Sequence, residues 1–176
     1  MDLEQVRKSV RDIPDYPKPG IMFKDVSTAY REGEVFNFIA DSIYAKYKAV
    51  GITKVVGIEA RGFILGAVIA SKLNVGFVPI RKPGKLPAPS FTQPYELEYG
   101  FDTLEIHQDA LNENDVVLIH DDLLATGGTV VAAIDLVSRF KVSAIHVNFF
   151  IELDFLNGRD KILELNPVPI WSLIHY

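Results

Sequence analysis

The chain has 176 residues, enough for one domain of ordinary size, and its 48% hydrophobic and 23% charged content is that of a packed globular core. A formal charge of −5 argues against a general nucleic-acid binder, which would present a basic surface. With no cysteine there are no disulfides, thiolate metal sites or thiol nucleophiles, and with neither a signal-type apolar stretch at the N-terminus nor a run of membrane-spanning length the expectation is one cytoplasmic domain, 1–176, with no membrane partner.

Residues 3–11 pattern as a short helix, after which Pro14, Pro17 and Pro19 impose an extended path. Val35, Phe36, Ile39, Ile43 and Tyr47 recur at helical spacing and predict an amphipathic helix over about 34–50. A strand is expected at 54–58, an almost wholly apolar and therefore buried helix at 63–73, and a strand at 77–80. Residues 82–95 hold four prolines and few aliphatics, which predicts an irregular, mobile loop. Alternation at 95–99 and 103–107 predicts paired strands. A buried strand at 116–119, a helix at 130–137, a buried strand at 143–151 and a late strand at 168–174 follow. Strands alternating with helices argue for an α/β fold, a mostly parallel twisted sheet flanked by helices, with 82–107 as an inserted loop and hairpin.

The most informative stretch is 116–131, VVLIHDDLLATGGTVV. An apolar strand ends in two adjacent acids, crosses a small Thr/Gly loop and enters a helix, and in open parallel sheets ligands bind at such carboxyl-end junctions. Gly127 and Gly128 lack side chains, so backbone amides can close on an anion; the helix start adds unpaired amides and its positive dipole end, and Thr126 and Thr129 add hydroxyl donors. Asp121 and Asp122 can accept from neighbouring hydroxyls, as on a ribose diol, or hold a divalent cation. Phosphate cradle and diol clamp together describe a ribose 5-phosphate. A plain turn with capping acids would leave two acids after an apolar strand unexplained. There is no GxxxxGK[ST] and no GxGxxG, so triphosphate hydrolysis and dinucleotide binding lose their usual support.

Two further groupings suit anions. Arg61, in Glu59-Ala60-Arg61-Gly62 between a strand and a buried helix, can bring a rigid bidentate donor to the same sheet edge, unless it merely pairs with Glu59. Arg81, Lys82 and Lys85 form a cationic cluster stiffened by prolines in an acidic chain. His107, His120, His146 and His175 lack metal-ligand spacing; alternation puts His120 on the face opposite Asp121, against a helix.

DDLLATGGT, residues 121–129, resembles the phosphoribosyl-pyrophosphate signature of the type I phosphoribosyltransferases, in the form most similar to the adenine-specific members. PGIMFKD (19–25), EARGF (59–63), RKPGKLP (81–87) and LEYG (97–100) follow the family's order, so the resemblance spans nearly the whole chain. It implies the type I phosphoribosyltransferase fold, with a small hood formed by about 1–33 and the 82–107 insertion. It implies transfer of the phosphoribosyl group of 5-phosphoribosyl 1-pyrophosphate to adenine, giving AMP and pyrophosphate, by a homodimer. Mg²⁺ would be carried by the substrate, with no dedicated protein cage.

The resemblance also distributes roles. Asp121, Asp122, Ala125, Thr126, Gly127, Gly128 and Thr129 would hold ribose and phosphate. Ala60, Arg61, Arg81, Lys82 and Lys85 would contact pyrophosphate, some across the dimer interface, with a cis peptide at Ala60-Arg61 aiming the amides. Met22, Phe23, Lys24, Leu123 and Tyr99 would surround adenine, Phe23 as the aromatic platform and Met22 through its backbone. Lys24 stands where most relatives carry arginine, and as a point donor it cannot make the same fork. Glu98 would handle the proton at the purine imidazole nitrogen and, with Arg61, Asp121 and Asp122, make up the catalytic set. Two other functions fit the same signature: transfer to a 6-oxopurine or xanthine, and a non-catalytic regulator sensing the same ligand. The regulator would need a nucleic-acid-binding element that this acidic chain lacks.

Overall fold

In a computed structural model describing residues 1–96 and 100–176, the apolar runs of the sequence become one all-parallel sheet. Its strands are β3 (Lys54–Ile58), β4 (Gly76–Ile80), β7 (Val116–Leu124), β8 (Ala144–Glu152) and β9 (Ile170–His175), in the order β4-β3-β7-β8-β9. The chain steps outward one way from β3 to β4 and the other way from β7 through β8 to β9, so its direction reverses between β3 and β7. A crevice opens at the carboxyl ends of strands on either side of such a reversal.

Each face of the sheet carries its own core. On one lie α1 (Leu3–Ser9), α2 (Ser27–Tyr30), α3 (Gly33–Tyr47) and α4 (Gly62–Leu73), with Ile39, Ile43, Leu65, Leu118 and Phe150 fully buried. On the other lie α5 (Gly128–Ser138) and α6 (Gly158–Leu165), with Ile119, Ile134, Leu136 and Phe149. Two antiparallel ribbons are added. β1 (Arg11–Pro14) pairs with β2 (Met22–Asp25) beside the first core, and β5 (Ser90–Glu96) pairs with β6 (Phe101–His107) and packs into the second through Leu104 and Ile106. No helix of the described residues is long and apolar enough to cross a membrane.

The differences from expectation have local causes. The helix expected over 34–50 stops at Tyr47, ahead of Gly51 at φ +82°. The irregular loop expected over 82–95 gives way at Ser90 to β5, whose alternation is interrupted in sequence by Pro94, a residue an outer ribbon tolerates opposite Thr103. Of the strand expected at 95–99, residues 97–99 lie outside the described residues. β7 runs five residues past its expected end, through both acids, because Leu123 and Leu124 go on pairing with Ile151 and Glu152 of β8. α6 was invisible to periodicity: Ile162 is its only buried large apolar residue.

α6 nevertheless matters for the site. A Cβ on Gly158 would collide with the Ala125 carbonyl oxygen, and one on Gly127, which sits at φ +83°, would lie 2.7 Å from the Gly158 carbonyl oxygen. The loop after β7 is thus locked backbone to backbone against the start of α6. Gly158→Ala should lower the unfolding free energy by about 1–3 kcal/mol, since backbone rather than a side chain must yield; an unchanged urea midpoint would show that the interlock carries no strain.

Candidate active site

The crevice holds two adjoining cavities. The first, about 80 Å³, lies over the loop between β7 and α5. Gly127 adopts the left-handed conformation at the N-cap of α5, and the first backbone bond of the helix runs from the Val131 N–H to the Gly127 carbonyl (3.0 Å). The amides ahead of Val131 therefore have no partner inside the helix and border a cleft lined by Ala125, Thr126, Gly127, Gly128 and Thr129. Asp121 lines it too, which brings six of the seven residues expected at ribose and phosphate together.

Asp122, the seventh, faces the other way. Alternation along β7 sends Asp121 to the α5 side and Asp122, only 2% exposed, to the α4 side. There the Arg61 Nε lies 2.9 Å from Asp122 Oδ2, an ion pair without hydrogen-bond alignment. Burial pushes both carboxyls above the ordinary aspartate range; the neighbouring Asp122 charge pushes Asp121 further up, while the Arg61 guanidinium pulls Asp122 back down. Gly62 is required here, because a Cβ would meet the His120 carbonyl oxygen at 2.9 Å and Asp121 Oδ1 at 3.0 Å.

The second cavity, about 530 Å³, is mainly apolar. Met22, Phe23, Lys24 and Leu123 all border it, as expected of a base pocket, together with Ile21, Leu153 and Leu156, which the sequence did not single out. Leu123, Ala125 and Thr126 border both cavities, so the two are contiguous. The Arg61 guanidinium is centred 5.3 Å from the Phe23 ring centroid, and Tyr16 meets the same ring edge-on at 5.1 Å. The Lys24 ammonium is engaged beside the pocket: its Nζ donates to Asp12 Oδ1 (2.6 Å) and sits 3.8 Å from the Tyr176 ring centroid.

Of the expected pyrophosphate cations, Arg61, Arg81 and Lys82 are engaged with acids. Arg81 makes a two-pronged contact to Glu59 (3.2 and 3.1 Å), whose second oxygen also accepts from the Lys82 N–H (2.8 Å). The Arg81 hydrogen bonds hold the Glu59 carboxyl below its usual range. Arg81 thus ties the strand end carrying Ala60 and Arg61 to the insertion, and Glu59 is taken by Arg81, not Arg61. Lys82 Nζ donates to Asp102 (2.5 Å), which raises the lysine and lowers the acid, and the Tyr95 hydroxyl donates to the same carboxylate (3.3 Å). Lys85 is exposed and offers its carbonyl to Arg81 (3.3 Å). The cis peptide expected at Ala60-Arg61 falls one bond earlier, at Glu59-Ala60. Glu98 and Tyr99 lie outside the described residues. One grouping of metal-ligand type among the described residues, Glu152, Asp154 and His175, stands at the end of β8 and β9, where Arg159 and Ser172 already occupy Glu152.

Comparison with known proteins agrees with this geometry. Residues 29–161 match the phosphoribosyl transferase domain family. The chain is 53% identical over 174 residues to an adenine phosphoribosyltransferase of Bacteroides fragilis, covering 99% of this chain and 98% of that protein. Among solved structures, the adenine phosphoribosyltransferase of Thermoanaerobacter pseudethanolicus superposes with a TM-score of 0.92 at 45% identity, covering 99% and 100% of the two chains. The Giardia lamblia enzyme in complex with 9-deazaadenine superposes at 0.95 with 41% identity, covering 100% and 98%.

His120, beneath the acid pair, is fully buried against α4, with Nδ1 2.8 Å from Asn148 Oδ1. Asn148 spends its amide N–H on carbonyls, so the imidazole donates from Nδ1 and is neutral. Burial holds it at about 4, against 6.5 for a free imidazole. Below pH 6.5 the unfolded chain takes up the extra proton first, so stability is full above that value and falls towards pH 4, by about 3 kcal/mol. Urea midpoints at about pH 7 and pH 4.5 should fall further for the wild type than for His120→Gln; equal losses would refute the assignment.

Proposed function

Because the chain belongs to the adenine phosphoribosyltransferase family, we propose that it transfers the phosphoribosyl group of 5-phosphoribosyl 1-pyrophosphate to adenine, giving AMP and pyrophosphate. The observation that carries this reading is the contiguity of an amide-lined anion cleft with an apolar, aromatic pocket, joined at Leu123, Ala125 and Thr126. A nucleoside monophosphate has that polarity along its length: phosphate, then sugar, then base.

In this reading the amides and hydroxyls of 126–129 hold the 5-phosphate and bring the anomeric carbon to the sheet edge between β7 and the α4 start. Adenine lies between Phe23 and Leu123, with the Met22 backbone reading its amino edge. The purine nitrogen forms its bond to the anomeric carbon as the bond to pyrophosphate breaks, through a transition state with oxocarbenium character. No side chain acts as a covalent nucleophile. The protein's contribution is positioning and electrostatic stabilisation. Asp121 and Asp122 hold the ribose hydroxyls from its two sides and favour the developing positive charge. Arg61, drawn to the pyrophosphate, leaves both the Phe23 ring and Asp122, opening the base platform and freeing the carboxylate together. Lys82 and Lys85 meet the leaving group from the insertion. Glu98 handles the purine proton and Tyr99 closes over the base, as the family resemblance implies. Lys24, held by Asp12 and Tyr176, braces the pocket wall.

Mg²⁺ would arrive bound to the substrate's pyrophosphate, where it would supply charge neutralisation for the leaving group. The donor set suits a borne ion, because the cleft presents Asp121 as its one carboxylate, too few protein oxygens for a dedicated cage. The reading includes a hood formed by 1–33 and 82–107, a homodimer in which insertion cations reach the partner's site, and a cytoplasmic location.

Incubation with adenine, 5-phosphoribosyl 1-pyrophosphate and Mg²⁺ should yield AMP, and hypoxanthine, guanine and xanthine should not compete. A product from a 6-oxopurine alone would reassign the base pocket. Asp122→Asn should lower kcat on the order of 100-fold while retaining a cooperative melt; normal turnover in that variant would refute the ribose clamp.

A further inference from the structure

Tyr30 ends α2, one short helix beyond the strand that carries Met22 and Phe23. Its ring lies over Phe150 (centroids 6.0 Å apart, planes inclined 32°) and meets Phe36 edge-on at 5.5 Å. The register pairs Asp121 with Phe149 and Leu123 with Ile151, which makes Phe150 and Asp122 cross-strand neighbours. The ring therefore packs beside the acid that faces Arg61. Two buried oxygens of this region lack a hydrogen-bond partner among the described residues: the Tyr30 hydroxyl and Asp122 Oδ2. Burial, then the charges of Asp122 and Asp121, push ionisation of the tyrosine far up, so it is a neutral donor. The groups facing Asp122 are Asp121 beside it, Arg61 from the start of α4 and Tyr30 from α2. His120, two residues back on the same face, is neutral, and Glu152 on β8 is taken by Arg159.

A buried hydroxyl with no acceptor among the described residues, in the field of a buried carboxylate whose cationic contact is a misaligned ion pair, is costly unless the two meet in some state of the protein. We propose that Tyr30 is a positioning residue for Asp122. Its hydroxyl donates to the Asp122 carboxylate, directly or through one water, once Arg61 has turned to the pyrophosphate, and so keeps that carboxylate ionised and oriented on the ribose. The proposal rests on the reading of Asp122 as a ribose ligand. Without the tyrosine, departure of Arg61 would strip the buried acid of its only counter-charge and favour its protonation.

The test is Tyr30→Phe beside Asp122→Asn, with kcat and KM measured across pH and melting temperature measured without ligand. Tyr30→Phe should lower kcat about tenfold and leave KM for adenine within about twofold. The acid limb of its kcat profile should move to higher pH by about one unit, because removing a donor to the charged form raises the acid's pKa. Its unliganded melting temperature should hold or rise, since only an unsatisfied hydroxyl is removed. Wild-type kcat with an unmoved acid limb, while Asp122→Asn is impaired, would overturn the proposal. A lower melting temperature and lower kcat with the limb unmoved would also overturn it, leaving Tyr30 a packing residue. Wild-type turnover in Asp122→Asn would overturn the ribose reading and this proposal with it.

Discussion

The reversal of strand order between β3 and β7 is the constraint on which the site depends. Two loops that leave adjacent strand ends towards helices on opposite faces cannot close over each other, so the sheet edge stays open there. The loop after β3 supplies Arg61 and the loop after β7 supplies the glycines, and the intervening chain brings the insertion to the same edge through the Glu59–Arg81 contact. The packing beneath is apolar and buried on both faces, which holds a polar edge in place above it.

That edge is electrostatically closed on itself. Arg61 pairs with Asp122, Arg81 with Glu59 and Lys82 with Asp102. In an acidic protein this leaves no bare cationic surface at the crevice from these three, and an arriving anion must exchange partners. The exchanges are unequal. Lys82 is about half exposed, so its pair is screened by water and yields readily; Arg61 is nearly as exposed, but its partner Asp122 is buried, so that pair yields only as an anion and another donor take the two places. Arg81 holds Glu59 through two prongs and joins the backbone ladder with Glu105, so it keeps the insertion in place. Three cations that look alike in sequence thus divide into two exchangeable ligands and one anchor.

The elements legible in the sequence were those whose burial repeats locally. β3 and β8 read as largely apolar because both sides of the sheet are covered, and α5 because most of its length is buried; α4, expected to be buried throughout, buries one face through Leu65, Ile69 and Ala70 and leaves Ile64 and Ala67 exposed. The Thr/Gly loop is legible because its character lies in its own backbone. What stayed hidden depends on partners far along the chain. Tyr30 carries no local pattern; its setting comes from Phe150, more than a hundred residues on. Lys24 borders the apolar cavity as its motif suggested, but the engagement of its ammonium with Asp12 and Tyr176 comes from residues far away in sequence. α6 buries too little to show a period, yet its first glycine locks the loop after β7. Family resemblance located the residues of the anion cleft and base pocket, but neither the pairing of Arg81 with Glu59 nor the peptide bond that is cis followed from it.

The alternation of Asp121 and Asp122 along β7 has a consequence for how this strand can vary. Pleated side chains change sides with every step, so inserting or deleting a single residue ahead of the acids would hand each carboxylate to the other's compartment. Both acids would remain, yet the one now beside the glycine loop would face the arginine and the other would face the amides. The count of residues along β7 is therefore a constraint in its own right, separate from how apolar each of them is.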